Sequence, residues 1–345
     1  MSGQPIRIAV MGAGMIGRRH IEHIRSEPMA ALHAIIDPAE AARAHAAACG
    51  APWYPDLDAM LASSRPDGVL IATPNQLHVA HGMAAIEAGL PALIEKPLAD
   101  DLAAAEQMVA AASRAGVPLL TGHHRRHNPM VRQAQEIVAS GMLGQTVAVH
   151  GSFWLLKPDS YFEVPWRRQP GAGPVMLNMI HDIDLLRCLC GEIEAVQAFE
   201  SNAVRGHPVN ETTVVILRFA SGALGTITVS DTIVAPWSWE HTTGENPAYP
   251  QTDQNCYVIG GTHASLSIPR LEIWCNPLRR GWFEPFRIER HVSAIADPLR
   301  LQIRQFCKVI RGEEQPLVSG AEGLVTLKVI DAIQRAAATQ HLVMV

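Results

Sequence analysis

RIAVMGAGMIGRRH, residues 7–20, is the stretch whose reading decides the fold. Its apolar first half reads as a buried strand and its end as the start of a helix; between them stands G-x-G-x-x-G at Gly12, Gly14 and Gly17. Each glycine has a reason in that order. One makes a tight turn, one lets backbone approach a pyrophosphate, and one lets helix pack on strand, while the helix N-terminus favours the anion. Alone the motif is weak, but Asp37 closes the next apolar run, LHAIID (32–37), 20 residues past Gly17. A carboxylate there accepts hydrogen bonds from ribose hydroxyls and repels the 2′-phosphate of NADP, and no arginine immediately follows it, so the expected cofactor is NAD. The residues expected to meet it at this end are Gly12, Gly14, Met15, Ile16, Gly17 and Asp37.

Working outward, GVLIAT (68–73), PALIE (91–95) and VPLLTG (117–122) are near-continuously apolar, as strands of a parallel sheet must be. Alanine-rich stretches of helical length lie between the runs, at Ile16–Arg25, Ala39–Ala48, Gln76–Ala88 and Asp101–Ala115. That alternation predicts an α/β Rossmann domain with a doubly wound parallel sheet over residues 1–122. Thr73, Pro74 and Asn75 then fall at the carboxyl edge of the sheet, where such folds bind ligands. His78 either contacts cofactor there or serves the start of the helix.

After Gly122 the pattern changes. An amphipathic stretch, Pro129–Ser140, and an alternating strand, TVAVHGSFWLL, precede a polar loop from Lys157 to Pro174. IEAVQAFES, ETTVVILRFA, ALGTITVSD, NCYVIGG, ASLSI and LEIWC are then β-rich segments divided by turns, and two helices follow, Pro298–Arg311 and Ser319–Ala338. Ser319 and Glu322 match a capping box. Residues 123–345 are predicted to be one α+β domain with a large, mostly antiparallel sheet.

Composition bounds the function. Of 345 residues 48% are hydrophobic and 18% charged, which suits folded domains and not disorder. A net charge of -5 argues against a nucleic-acid partner, and no apolar run approaches the length a bilayer span needs. The chain reads as cytoplasmic, with a small molecule as its partner. Six cysteines without C-x-x-C spacing read as buried free thiols, and sixteen histidines show no paired zinc spacing, so no metal is expected.

The glycine motif, IDP (36–38), ATPNQLH (72–78), EKP (95–97), GHHRRHNP (122–129) and GPVMLNMIHDID (173–184), in this order, resemble the Gfo/Idh/MocA oxidoreductases, relatives of glucose-fructose oxidoreductase and inositol dehydrogenase. The resemblance implies a Rossmann domain followed by an open-faced sheet domain, a homodimer or homotetramer formed through that sheet, and hydride transfer between NAD and a secondary alcohol carbon of a polyol, cyclitol, sugar or hydroxy acid. It implies that Lys96, where the fourth apolar strand ends before Pro97, is catalytic, with a Lys-Pro bond that is often cis; its ammonium can polarise a substrate hydroxyl and hold the nicotinamide ribose. Glu95 is expected beside the cofactor, pairing with Lys96 or with a neighbour.

GPVMLNMIHDIDLLR, 173–187, puts Asn178, His181, Asp182 and Asp184 into an otherwise apolar helix. On an α-helix Asn178, His181 and Asp182 share a face. Imidazole suits removal of a hydroxyl proton near neutral pH, so His181 is the expected general base. Many family members carry an aspartate four residues earlier, whereas this chain has Leu177 there; either Asn178 binds a substrate hydroxyl or Asp182 supplies the charge. Asp184 is expected to be solvated or paired with Arg187. On the substrate side the resemblance implies Arg125, and the loop offers Tyr161, Trp166 and Arg168, the last able to clamp a carboxylate. Two other functions stay open: an NAD-requiring glycosidase with transient substrate oxidation, and a non-catalytic regulator that senses dinucleotide.

Overall fold

Strands covered on both faces have no polar side to show, and the first sheet is built of such strands in a computed structural model that describes residues 4–169 and 171–345. Residues 1–3 and Pro170, which falls inside the expected Lys157–Pro174 loop, lie outside the described residues. In chain order the elements are β1 (Ile6–Met11), α1 (Met15–Ser26), β2 (Ala30–Ile36), α2 (Glu40–Cys49), β3 (Trp53–Tyr54), α3 (Leu57–Ser63), β4 (Gly68–Ile71), α4 (His78–Glu87), β5 (Ala92–Ile94), α5 (Leu102–Ala115) and β6 (Leu119–Thr121). The six strands pair in parallel in the order β3-β2-β1-β4-β5-β6.

Alternate residues feed two cores. Ala9, Ile71 and Ile94 pack with Met108 on one face, and Ile8, Val10, Leu70 and Leu93 pack with Ile21 and Phe306 on the other. Helix ends follow local chemistry: Asp56 and Asp101 accept the N–H groups of Ala59 and Ala104, and α2 and α5 stop at Gly50 and Gly116, both with positive φ. The short pair β3 and α3 was not expected.

The second unit begins with α6 (Pro129–Ala139) and β7 (Thr146–Trp154). A π-helical segment, Val175–Met179, leads into α7 (Ile180–Cys190), and β8 (Ile193–Ser201), β9 (Thr212–Phe219), β10 (Leu224–Ser230), α8 (Trp239–Thr243), β11 (Tyr257–Gly261), β12 (Ala264–Ile268), β13 (Glu272–Cys275) and β14 (Arg287–Arg290) follow. Then come α9 (Pro298–Ile310), α10 (Gly320–Thr339) and β15 (Val343–Met344). The nine-stranded order is β14-β13-β12-β11-β7-β10-β9-β8-β15, antiparallel except where β7 meets β10. One face of this sheet carries Val215, Leu217, Ile227 and Ile259 into a core with Met179, Ile183 and Leu186. The other presents Phe199, Val214, Ile216, Val258 and Trp274, all exposed.

The chain forms two compact units, one of the residues up to His127 together with Asp297–Leu327, the other of Asn128–Ala296 with Lys328–Val345. The sequence reading assigns α9 to the second domain; its apolar face, Ile303, Phe306 and Cys307, instead joins the core on β1 and β4. Amphipathic spacing shows that a face is buried without showing which core it enters. All six cysteines are free, with Cys256 and Cys307 buried and the other four half-buried, a partial departure from the expected buried set.

Candidate active site

The first unit gathers its motif residues at the carboxyl ends of β1, β2, β4 and β5. Gly12, at φ +90°, has no room for a side chain: a Cβ there would stand 2.6 Å from the Ala72 carbonyl oxygen. At Gly17 it would stand 1.9 Å from the Gly12 carbonyl oxygen, so helix and turn meet through bare backbone. A Cβ at Gly14 would meet no heavy atom within 4 Å, and Gly14 opens α1 without a side-chain cap. Met15 beside it is 87% exposed, Ile16 is half-buried, and the first N–H groups of α1 are left to an anion. Asp37 is half-buried; its Oδ2 accepts the Ala13 N–H at 2.8 Å and its Oδ1 the Ala39 N–H at 2.9 Å. Each oxygen keeps a lone pair for a ribose hydroxyl, and so the turn, the helix end and the carboxylate fit a dinucleotide.

Thr73 follows β4 with its hydroxyl 3.0 Å from His81 Nδ1, Pro74 is exposed, and Asn75 opens a 3-10 turn ahead of α4. His78 is buried, with Nδ1 2.7 Å from the Pro97 carbonyl oxygen and Nε2 2.9 Å from that of Thr73. Both ring nitrogens are thus taken by protein, which corrects the option of a cofactor contact. Lys96 is half-buried at the end of β5, and its bond to Pro97 is cis.

Glu95 pairs with a neighbour, one of the two partners expected for it. It is buried, and its Oε1 accepts a 2.7 Å hydrogen bond from Nε2 of His20 on α1. Burial pushes its carboxyl up, but the His20 hydrogen bond and the charges of His20, His124 and Lys96 outweigh it and hold the group at about 2. Because the folded group sits below its ordinary 4.5, it adds stability above that pH which is lost as pH falls toward 2. Thermal melts should show this loss, of order 3 kcal/mol, in the wild type and a flatter acid limb in Glu95→Gln; parallel limbs would contradict it. His20 escaped the sequence reading, although a histidine in register with Gly17, Ile21 and Ile24 on an otherwise apolar helix face was its signal.

In the second unit, the π segment changes the premise on which Asn178 was placed. It lies before α7 rather than within an α-helical register, so three-residue spacing does not by itself set it above His181. Its Oδ1 is buried and has no hydrogen-bond partner among the described residues. His181 is 6% exposed in the first turn of α7. Asp182 is fully buried, and its Oδ1 accepts the hydroxyl hydrogen of Tyr257 on β11, a contact 75 residues away in sequence. Asp184 is buried as well, which corrects the expectation of solvation, and Arg187 forms a two-pronged pair with Glu192 at 2.8 Å.

The loop after β7 folds as two 3-10 turns, Asp159–Glu163 and Pro165–Arg168. The Arg167 guanidinium stacks 4.0 Å from the Tyr161 ring and donates to its carbonyl. Trp166 is exposed, and half-buried Arg168 has no hydrogen bond or ion pair among the described residues. Beneath the loop Lys157 is buried, 3.4 Å from Asp231 Oδ2, and Arg205 bonds the same carboxylate at 2.5 Å; burial pushes the Lys157 amine down against the pull of Asp231. Arg125 is buried in the first unit, and its neighbour Arg126 pairs with Glu322 at 3.0 Å.

Comparison with known proteins agrees with this geometry. The model of the Gfo/Idh/MocA oxidoreductase family, NAD-binding Rossmann fold, matches residues 6–123, and that of the family's C-terminal domain matches residues 131–267. The chain is similar to the 1,5-anhydro-D-fructose reductase of Ensifer adhaerens, 30% identical over 79% of this chain and 78% of that one. It is also similar to the myo-inositol 2-dehydrogenase of Thermotoga maritima, 27% identical over 93% of each. Several other curated relatives, the rhizopine catabolism protein MocA of Rhizobium meliloti among them, are matched over 54 to 64% of their own length, under two thirds. Among solved structures it resembles the WlbA dehydrogenase of Bordetella pertussis in complex with NADH and UDP-GlcNAcA, with a TM-score of 0.80, 26% identity and 99% of each chain covered. With a dinucleotide turn that fits and both family domains matched, the chain belongs to the Gfo/Idh/MocA family of NAD-binding oxidoreductases.

Proposed function

We propose that this chain oxidises a secondary alcohol carbon of a polyol, cyclitol, sugar or hydroxy acid, or reduces the matching ketone, with NAD. The observation that carries the reading is Lys96, a half-buried amine at the carboxyl end of β5 in a unit whose turn and acid fit the dinucleotide. Bound NAD would take the hydride from the carbon. Gly12, Gly14 and the start of α1 hold its pyrophosphate, and Asp37 holds its adenosine ribose. The Lys96 ammonium donates a hydrogen bond to the reacting oxygen, and His181 takes the hydroxyl proton as the carbonyl forms.

Asn178, with its open amide oxygen, accepts from a substrate hydroxyl. We assign Asp182 to holding α7 against β11 and not to the substrate, since Tyr257 already occupies it. Tyr161, Trp166 and Arg168 bind the remainder of the substrate, and Arg168 favours an acid group. The names of the related proteins, a reductase of 1,5-anhydro-D-fructose and a dehydrogenase of myo-inositol, support this class.

The test is a panel of cyclitols, sugars, sugar acids and hydroxy acids with NAD, read as NADH absorbance. Net NADH with a polyol or acid supports dehydrogenation. Turnover of a glycoside without net NADH supports the glycosidase, and dinucleotide binding without turnover supports the regulator. NAD should bind more tightly than NADP, and Asp37→Ala should weaken NAD about 10- to 100-fold, the range for a hydrogen bond to a charged group; tighter NADP binding by the wild type would reject the assignment. The exposed face of Phe199, Val214, Ile216, Val258 and Trp274 is assigned to contact with a second copy in a dimer or tetramer, and sedimentation as a monomer would remove that assignment.

A further inference from the structure

Lys96 stands between two residues whose polar groups are tied to buried histidines. Before it, Glu95 accepts from His20 Nε2 through Oε1, and from the Lys96 N–H at 3.1 Å through Oε2. After it, the Pro97 carbonyl meets His78 Nδ1, whose ring also reaches the Thr73 carbonyl in the turn after β4. His20 and His78 are 0% and 1% exposed, so neither ring serves solvent. Gly122 closes the space behind Glu95, where a Cβ would fall 2.9 Å from Glu95 Cα and 3.0 Å from its Oε2.

We infer that His20 and His78 are positioning residues that fix the backbone on either side of Lys96 and so set the direction in which its amine leaves the sheet. This rests on the proposal that Lys96 acts on substrate. A lysine side chain has large rotamer freedom, and an error of about 1 Å in a reacting group costs about 10²-fold in rate, so the origin of that chain has to be held. The two histidines come from α1 and α4 and bond to elements that also shape the dinucleotide turn: α1 starts at Gly14, and Thr73 lies against Gly12. Lys96 is thereby referenced to the same backbone that holds the cofactor.

The chain has four lysines, Lys96, Lys157, Lys308 and Lys328. Reductive methylation with 13C-formaldehyde therefore gives a sparse carbon spectrum without cofactor or substrate, and Lys96→Arg identifies the Lys96 signal. In His20→Leu and His78→Leu that signal should move or broaden while that of Lys308 stays. His20→Gln, whose amide nitrogen replaces Nε2, should keep it near wild type. His78→Asn, which keeps the tie to Pro97, should also keep it, whereas His78→Gln, which keeps only the tie to Thr73, should not. Turnover should follow the same order, with losses of about 10²-fold in the leucine variants and NAD affinity within about twofold of wild type. An unmoved Lys96 signal in both folded leucine variants overturns the inference, and if those do not fold, equal spectra for His78→Asn and His78→Gln overturn it. Wild-type turnover in Lys96→Ala defeats the catalytic reading instead. Full loss there with undisturbed histidine-variant spectra defeats only the positioning.

Discussion

Replacing Lys96 by alanine should lower turnover by about 10²- to 10³-fold, the usual consequence of removing one donor aimed at an oxygen that gains charge during reaction. NAD affinity should stay within a fewfold of wild type, because the proposed holds on pyrophosphate and adenosine ribose are the glycine turn and Asp37. The split follows from differential binding: an interaction made mainly in the transition state appears in turnover and not in cofactor affinity. Lys96→Arg keeps the charge but spreads it over a planar fork, and should recover little. Stopped-flow rates with the best substrate of the panel, alongside NAD titration, measure both quantities. An alanine variant at near wild-type rate would remove Lys96 from the chemistry.

His181→Ala should cost about 10²- to 10⁴-fold near neutral pH, as loss of a positioned general base does. The sign with pH follows from which form works. A base acts unprotonated, so the wild-type rate falls on the acid side as the imidazole takes a proton before the reaction can supply one. The alanine variant has no such group, and its deficit should shrink at high pH as hydroxide replaces the missing base. Asp182→Asn gives a contrast. Its carboxylate is committed to Tyr257 in the core, so the change should lower the melting temperature more than it alters the pH profile. An unchanged acid limb in His181→Ala would count against His181 as the base.

The dinucleotide end was legible because its signals are local. A glycine turn between an apolar run and a helix, with Asp37 ending the next run, leaves few other arrangements, and the parallel sheet follows from strands with no polar face. What stayed hidden depends on distant partners. Glu95 was expected to pair with Lys96 or a neighbour, but which neighbour was hidden: His20 lies 75 residues earlier, and only the folded sheet brings α1 against β5. Asp182 stayed open between a charge for the site and a bland role, and Asp184 between solvation and a pair with Arg187, because spacing shows that polar residues recur on α7 while burial depends on the sheet beneath it. The π segment at Val175–Met179 alters hydrogen bonding without altering residue type, so nothing in the composition marked it. Two-residue strands such as β3 and β15 are too short to carry an alternation.

The central claim is that Lys96 and His181 act on one substrate carbon in a single step, and a double-mutant cycle on turnover tests it most directly. Residues that act as a unit are not additive, so the account predicts that Lys96→Ala/His181→Ala is scarcely slower than the slower single variant. A double variant whose loss equals the product of the two single losses would mean independent roles, and would contradict the account.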